Sequence, residues 1–218
     1  MSHEELDHGD IVVNKFTEES VEKFRKRVYR LSADPSMPIV IYIDSYGGNV
    51  DALNSMLSIM KSVNNVFVTV CQGKAMSAGA ALLAAGDIRF SDADSRIMIH
   101  EASGGVVGSV DDVKTDAKEF DRLNLQLMTM IANKCGKTYD QLKTLIRDNE
   151  GRDLYLTAEQ AKSIGLIDFI GLPQVKPMIT YSVECLPPKK KVIFEKDEPK
   201  IPIKKKSKTD LKKKKIKK

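Results

Sequence analysis

VFVTVCQGKAMSAGAALLAA, residues 66–85, sets two patterns back to back. Its opening, Val66 to Cys71, is the largely β-branched apolar run expected of a strand buried on both faces. Its close, Ala80 to Ala85, is a run of small helix formers. Between them Gly73-Lys74-Ala75-Met76-Ser77-Ala78-Gly79 reads as a strand-to-helix turn with Ser77 opening the helix. Such a turn presents a hydroxyl and aims the free N–H groups of a helix start at whatever that hydroxyl attacks. A serine is a poor nucleophile until a base takes its proton. Met98-Ile99-His100 ends a later apolar stretch with a histidine, 23 positions after Ser77, that can serve as that base.

The same alternation extends outward in both directions. Upstream, Ile39 to Ile43 is another continuous apolar strand, Asp44-Ser45-Tyr46-Gly47-Gly48-Asn49 a tight loop, and Val50, Leu53, Leu57 and Met60 mark a helix. Before that, Ile11 to Val13 reads as a short strand, and Thr17 as an N-cap with Phe16 and Val21 spaced for a hydrophobic staple. Val21, Phe24, Val28 and Leu31 then recur at helical spacing. Downstream, Ile88 to Phe90 and Arg96 to His100 read as short strands, and Asp111 to Asn133 as a long helix. Its stripe is Val113, Ala117, Phe120, Leu123, Leu127 and Met130. A helix from Tyr139 to Ile146, a capping box at Thr157 and Gln160 before a short helix, and a strand from Leu166 to Ile170 complete the order. Repeated strand–helix units with buried strands predict an α/β fold with parallel strands and right-handed crossovers.

Composition narrows the class. The chain has 218 residues, 42% of them hydrophobic, and no apolar run near the ~20 residues of a membrane helix. The first ten residues are polar and acidic, unlike a secretory signal, which predicts a cytoplasmic protein with no membrane contact. Cys71, Cys135 and Cys185 form no metal-ligand spacing and no disulfide framework. Met76, Met98, Met128 and Met130 read as core filler, and His3 and His8 receive no role. The net charge of +5 conceals two halves. Residues 189–218 hold fifteen lysines against four acidic residues, a net +11, so residues 1–188 carry −6. The expected organisation is a polar segment over 1–10, one domain over 11–172, a linker over 173–188 and a disordered lysine-rich tail over 189–218. A polycation of that kind can contact nucleic acid or an acidic protein by counterion release.

A family comes into view when the motifs are taken in order. Ile41 to Gly48, Gly73 to Ala80, Ser95 to His100, Gly104 to Gly108, Asp153 to Ala158, Ala161 and Gly165 to Asp168 together resemble the proteolytic subunit of Clp protease. The resemblance spans roughly Ile11 to Ile170. It implies a ClpP/crotonase-like fold with a protruding handle helix, here Asp111 to Asn133. It also implies a serine endopeptidase acting on unfolded or flexible polypeptides, without metal or other cofactor. By the same resemblance Ser77 aligns with the nucleophile, His100 with the general base and Asp153 with the carboxylate that holds the imidazole tautomer. The backbone N–H groups of Gly48 and Ala78 align with the oxyanion hole, and Gly104 and Gly105 with an extended segment that pairs with the substrate peptide. The interval from Gly136 to Asp153 is a few residues longer than usual, which leaves Asp148 as a competing carboxylate. Asp153 is preferred because it precedes the Leu156-Thr157-Ala158 helix start. Tyr46 and Ala102 stand where proline is common.

The resemblance further implies a homo-oligomeric ring, heptameric or doubly heptameric, served by an ATP-driven unfoldase. The short N-terminus counts against that last partner and suits a phage-type maturation protease. Two readings compete with peptide hydrolysis. One is a non-proteolytic ring scaffold whose basic tail recruits nucleic acid or an acidic partner. The other is an acyl-CoA enzyme of crotonase architecture, which uses a backbone oxyanion hole without a triad. The intact set of Ser77, His100 and Asp153 argues against the first, and serine and histidine in family-matching motifs argue against the second.

Overall fold

A computed structural model describes residues 10–102, 105, 107–149 and 153–174. The readings on residues 1–9, Gly104 and 175–218, including the lysine-rich segment and Cys185, lie outside the described residues.

Five strands form the main sheet: β1 (Ile11–Val13), β2 (Ile39–Ser45), β3 (Phe67–Met76), β4 (Ile88–Ser91) and β7 (Phe169–Ile170), in the order β1-β2-β3-β4-β7 and all parallel. Two more strands leave this row. β5 (Arg96–His100) runs parallel to the far end of β3, and β6 (Asp153–Leu156) runs antiparallel to β5. β3 is the hinge of the arrangement. Val68 to Cys71 pair with β4, and Lys74 to Met76 pair with β5. The strand is therefore longer than the apolar run Val66 to Cys71 predicts. Gln72-Gly73-Lys74 resembles a turn in sequence but is where one strand changes partner.

The helices follow in chain order: α1 (Glu18–Leu31), α2 (Val50–Lys61), α3 (Ala78–Ala85), α4 (Val110–Lys134), α5 (Tyr139–Asp148) and α6 (Ala158–Ser163). Their starts obey capping rules. Thr17, Ser109, Thr138 and Thr157 each accept the N3 amide while the N3 side chain returns to the cap. Phe16 and Val21, the expected staple, are both buried. α3 is buried along its whole length until Ala85. Only side chains as small as those of Ala78-Gly79-Ala80-Ala81 let its first turn lie so close to β2. A Cβ on Gly79 would already stand 3.3 Å from the Ser45 carbonyl oxygen.

Strand alternation divides the side chains between two faces. Ile39, Ile41, Ile43, Phe67 and Cys71 join α1 to α6 in one continuous core. The opposite face carries Val40, Val68 and Val70, with the partly buried Tyr42 and Phe90 packed against them. Strand register aligns that face into a row, Val12–Tyr42–Val70–Phe90–Phe169, across five strands. The Phe90 and Phe169 rings stack at 5.0 Å. The central strands β2 and β3 are thus largely buried on both sides, as their composition predicts, and among the described residues helices cover only one side.

The last predicted strand, Leu166 to Ile170, shortens to Phe169–Ile170. Leu166 and Ile167 are buried in the helical core instead. Arg89 locks this end of the molecule. Its guanidinium makes two bonds to the Asp168 carboxylate, at 2.6 and 3.0 Å, and also donates to the Lys134 and Gly165 carbonyls that end α4 and α6. A cation at two helix C-termini complements their dipoles. The paired guanidinium holds the Asp168 carboxyl below its ordinary pKa.

Candidate active site

Ser77 sits between β3 and α3 with φ 53° and ψ −118°, and it is the one non-glycine residue with positive φ among the described residues. A left-handed φ costs an L-residue roughly 1–2 kcal/mol. The fold sustains it because the Ser77 amide donates to the Met98 carbonyl at 2.9 Å, continuing the β3–β5 ladder, while its carbonyl accepts the Ala81 amide at 3.1 Å and starts α3. Strand on one side and helix on the other leave the hydroxyl at a sharp elbow. An observed backbone outlier of this kind is a pointer to function.

Two residues beyond Met98, His100 ends β5. Its Nε2 lies 2.7 Å from Ser77 Oγ, within hydrogen-bonding distance. The imidazole is mostly buried, at 19% exposure. Asp153 opens β6 directly opposite His100 in the antiparallel register, and its Oδ1 lies 3.7 Å from His100 Nδ1. That is an ion-pair distance rather than a hydrogen bond. Asp148, the competing carboxylate, ends α5 exposed beside Arg147 at 3.5 Å and makes no ion pair with His100.

The Gly47-Gly48 turn closes on this elbow. Gly47 has φ +102°, and a Cβ placed on it would stand 2.8 Å from Ser77 Cβ and 2.9 Å from the Met76 carbonyl oxygen. Only glycine brings this backbone so near the serine. Phe16 bridges to Gly48, with the Asn49 amide donating to the Phe16 carbonyl at 3.2 Å. Ala78 is the first residue of α3, so its N–H has no intrahelical acceptor.

Some of the supports are not evident from sequence. Ser45, 1% exposed, donates its hydroxyl to the Asn14 carbonyl at 3.0 Å and accepts the Gly47 amide at 3.1 Å, which fixes the turn from its buried side. A serine just ahead of a Gly-Gly pair is the available signal. The Ala102 amide donates to Asn124 Oδ1 at 2.9 Å, tying the chain after His100 to α4. Gly105, expected in an extended substrate-pairing segment, is exposed and outside every strand, and Gly104 lies outside the described residues. Cys71 and Cys135 are buried, and burial pushes each thiol up to about 11. Of the four methionines read as core filler, Met76, Met98 and Met128 are buried, and Met130 is partly buried and packed against the core. Among the described residues no group of three His, Cys, Asp or Glu side chains gathers as a metal site, and no helix is long and apolar enough to cross a membrane.

Comparison with known proteins gives concordant findings. A family model described as Clp protease matches residues 6–173. ATP-dependent Clp protease proteolytic subunit 2 of Prochlorococcus marinus is 40% identical over 144 residues, covering 65% of this chain and 70% of its own length. The ATP-dependent Clp protease proteolytic subunit of Bacteroides fragilis is 36% identical over 143 residues, covering 65% of this chain and 67% of its own.

Proposed function

The chain belongs to the Clp protease family and is a serine peptidase, and on that premise we propose that it cleaves unfolded or flexible polypeptides through Ser77, His100 and Asp153. The observation that carries the assignment is the 2.7 Å approach of His100 Nε2 to a serine hydroxyl on a strained elbow. In this reading His100 takes the Ser77 proton as Oγ attacks the scissile carbonyl, then returns it to the departing amine. Water then attacks the acyl-enzyme carbonyl, with His100 taking its proton and delivering it to Ser77 Oγ as the ester bond breaks and the carboxylic acid product leaves. Asp153 holds the Nδ1–H tautomer and stabilises the imidazolium. The N–H groups of Gly48 and Ala78 receive the oxyanion, where the loss of one such donor typically costs on the order of 10²–10³ in rate. Gly104 and Gly105 carry the backbone pairing with the substrate.

We assign the chemistry to a domain over residues 11–172, with 1–10 as a short leading segment, 173–188 as a linker and the lysine-rich 189–218 as a polyanion contact separate from it. Assembly into a heptameric ring or pair of rings is supported by the exposed apolar positions on α4, Val113 and Leu125. An ATP-driven unfoldase is the partner proposed, and the names of the two relatives, which call them ATP-dependent, support an ATP-driven partner.

The test is peptide hydrolysis by the assembled wild type and three variants. Ser77→Ala abolishes turnover. Asp153→Asn lowers kcat by about 10⁴, the loss seen when a triad carboxylate no longer holds the tautomer. Asp148→Asn leaves it unchanged. Equal activity of wild type and Ser77→Ala, or a deeper loss in Asp148→Asn than in Asp153→Asn, contradicts the assignment.

A further inference from the structure

The register between β2 and β3 slips beside the site. Two steps along β2, from Ile43 to Ser45, match four along β3, from Cys71 to Ala75. The surplus residues of β3 form a bulge facing Asp44. Gly73 turns it with φ +99°, and a Cβ there would stand 3.1 Å from Asp44 Oδ1, so glycine is what admits the carboxylate. The Gly73 amide is anchored to Ser95 Oγ at 2.8 Å. Bulges beside active sites commonly re-aim a side chain.

Here the re-aimed side chain is Lys74. Its Nζ lies 2.6 Å from Asp44 Oδ1 and 4.5 Å from the centre of the Tyr46 ring. The lysine side chain is 21% exposed, whereas Tyr46 is 70% exposed. One ammonium therefore joins the residues on either side of Ser45, immediately ahead of Gly47-Gly48. Ser45 secures the turn to Asn14 from the core, and Lys74 secures it from β3, three residues before Ser77.

We propose that Lys74 is a positioning residue for peptide hydrolysis: by bridging Asp44 and the face of Tyr46 it holds the Gly47-Gly48 turn against the Ser77 elbow. The proposal rests on reading the Gly48 amide as an oxyanion donor. Magnitudes separate this role from a structural one. A partly exposed ion pair and one cation–π contact add little to stability. The turn they hold, however, must place an N–H donor to within tenths of an ångström. Removing the brace should therefore leave the fold intact and slow the chemistry.

The experiment measures kcat and KM for a short fluorogenic peptide, melting temperature, and fluorophosphonate labelling of Ser77, all on the full-length assembled protein. The variants are Lys74→Met, Lys74→Arg and Tyr46→Leu. Lys74→Met lowers kcat roughly tenfold to hundredfold, the cost of displacing a catalytic group by a fraction of an ångström to one ångström. KM stays within about twofold and the melting temperature within a few degrees. Lys74→Arg, which keeps the ion pair and stacks on tyrosine, recovers kcat to within about threefold. Tyr46→Leu, a change on an exposed loop, shifts kcat in the same direction as Lys74→Met.

Three results overturn the proposal in a wild type that labels at Ser77. One is an unchanged kcat in Lys74→Met. The second is a rise in KM alone, which would make Lys74 a substrate contact. The third is a loss shared by Lys74→Arg together with a lowered melting temperature. A wild type that neither hydrolyses peptide nor labels at Ser77 removes the reading of the site, and this proposal with it.

Discussion

Replacing Gly47 by alanine should damage catalysis far more than its single methyl group suggests. At φ +102° an L-residue is strained by roughly 1–2 kcal/mol. The new Cβ would also stand 2.8 Å from Ser77 Cβ, against an ordinary carbon–carbon contact of about 3.5 Å. Relief requires the turn or the elbow to retreat by roughly 0.7 Å, since the second obstruction, the Met76 carbonyl oxygen, is backbone held in the β3–β5 ladder. Gly48 follows Gly47 directly, so its amide moves with the turn. A misplacement approaching 1 Å costs on the order of 10² in rate. Gly47→Ala should therefore lose about 1–2 kcal/mol in urea unfolding while kcat for peptide hydrolysis falls between roughly tenfold and hundredfold. A variant that unfolds earlier by that amount yet turns over peptide at the wild-type rate would refute the link between this turn and the reaction.

Two further outcomes follow from the packing and electrostatics. Asp168 has its pKa lowered below 3.8 by Arg89, so the pair's stabilisation is fully present above about pH 4 and is lost as pH falls through the lower folded value. Asp168→Asn should cost about 1.5–3 kcal/mol at pH 7, and the gap to wild type should narrow below pH 4 in urea titrations at each pH. A gap that does not vary with pH would contradict the assignment. Burial pushes the Cys71 and Cys135 thiols up to about 11, so peptide mapping after iodoacetamide at pH 8 should find both unmodified in the folded protein and modified in urea. Modification of either in the folded state would contradict the core drawn around them.

What is legible in the sequence and what is not divide along a physical line. The parallel strands β2 and the first half of β3 announce themselves because burial on both sides demands an unbroken apolar run. The helix starts do so because caps are local chemistry. The second half of β3 is hidden, since Gln72-Gly73-Lys74 carries the residues of a turn and becomes strand only through the distant partner β5. β6 is hidden for the same reason: four residues, Asp153 to Leu156, become a strand only against β5. That pairing is also what sets Asp153 opposite His100, a juxtaposition that sequence reaches by motif order alone. The elbow at Ser77 is visible as a junction of two patterns, but its positive φ is not. The contact of Lys74 with Asp44 and Tyr46 depends on a register slip between strands, which leaves no periodic trace. Leu166 and Ile167 mislead in the other direction, because buried apolar residues just ahead of a short strand look like strand.

The most direct measurement is intact mass after treatment with a fluorophosphonate, for the wild type and Ser77→Ala. An activated serine forms a covalent adduct that a resting hydroxyl does not. One adduct per wild-type chain is expected and none on the variant. An unmodified, folded and assembled wild type, or a variant modified to the same extent, would contradict the claim that Ser77 is the nucleophile.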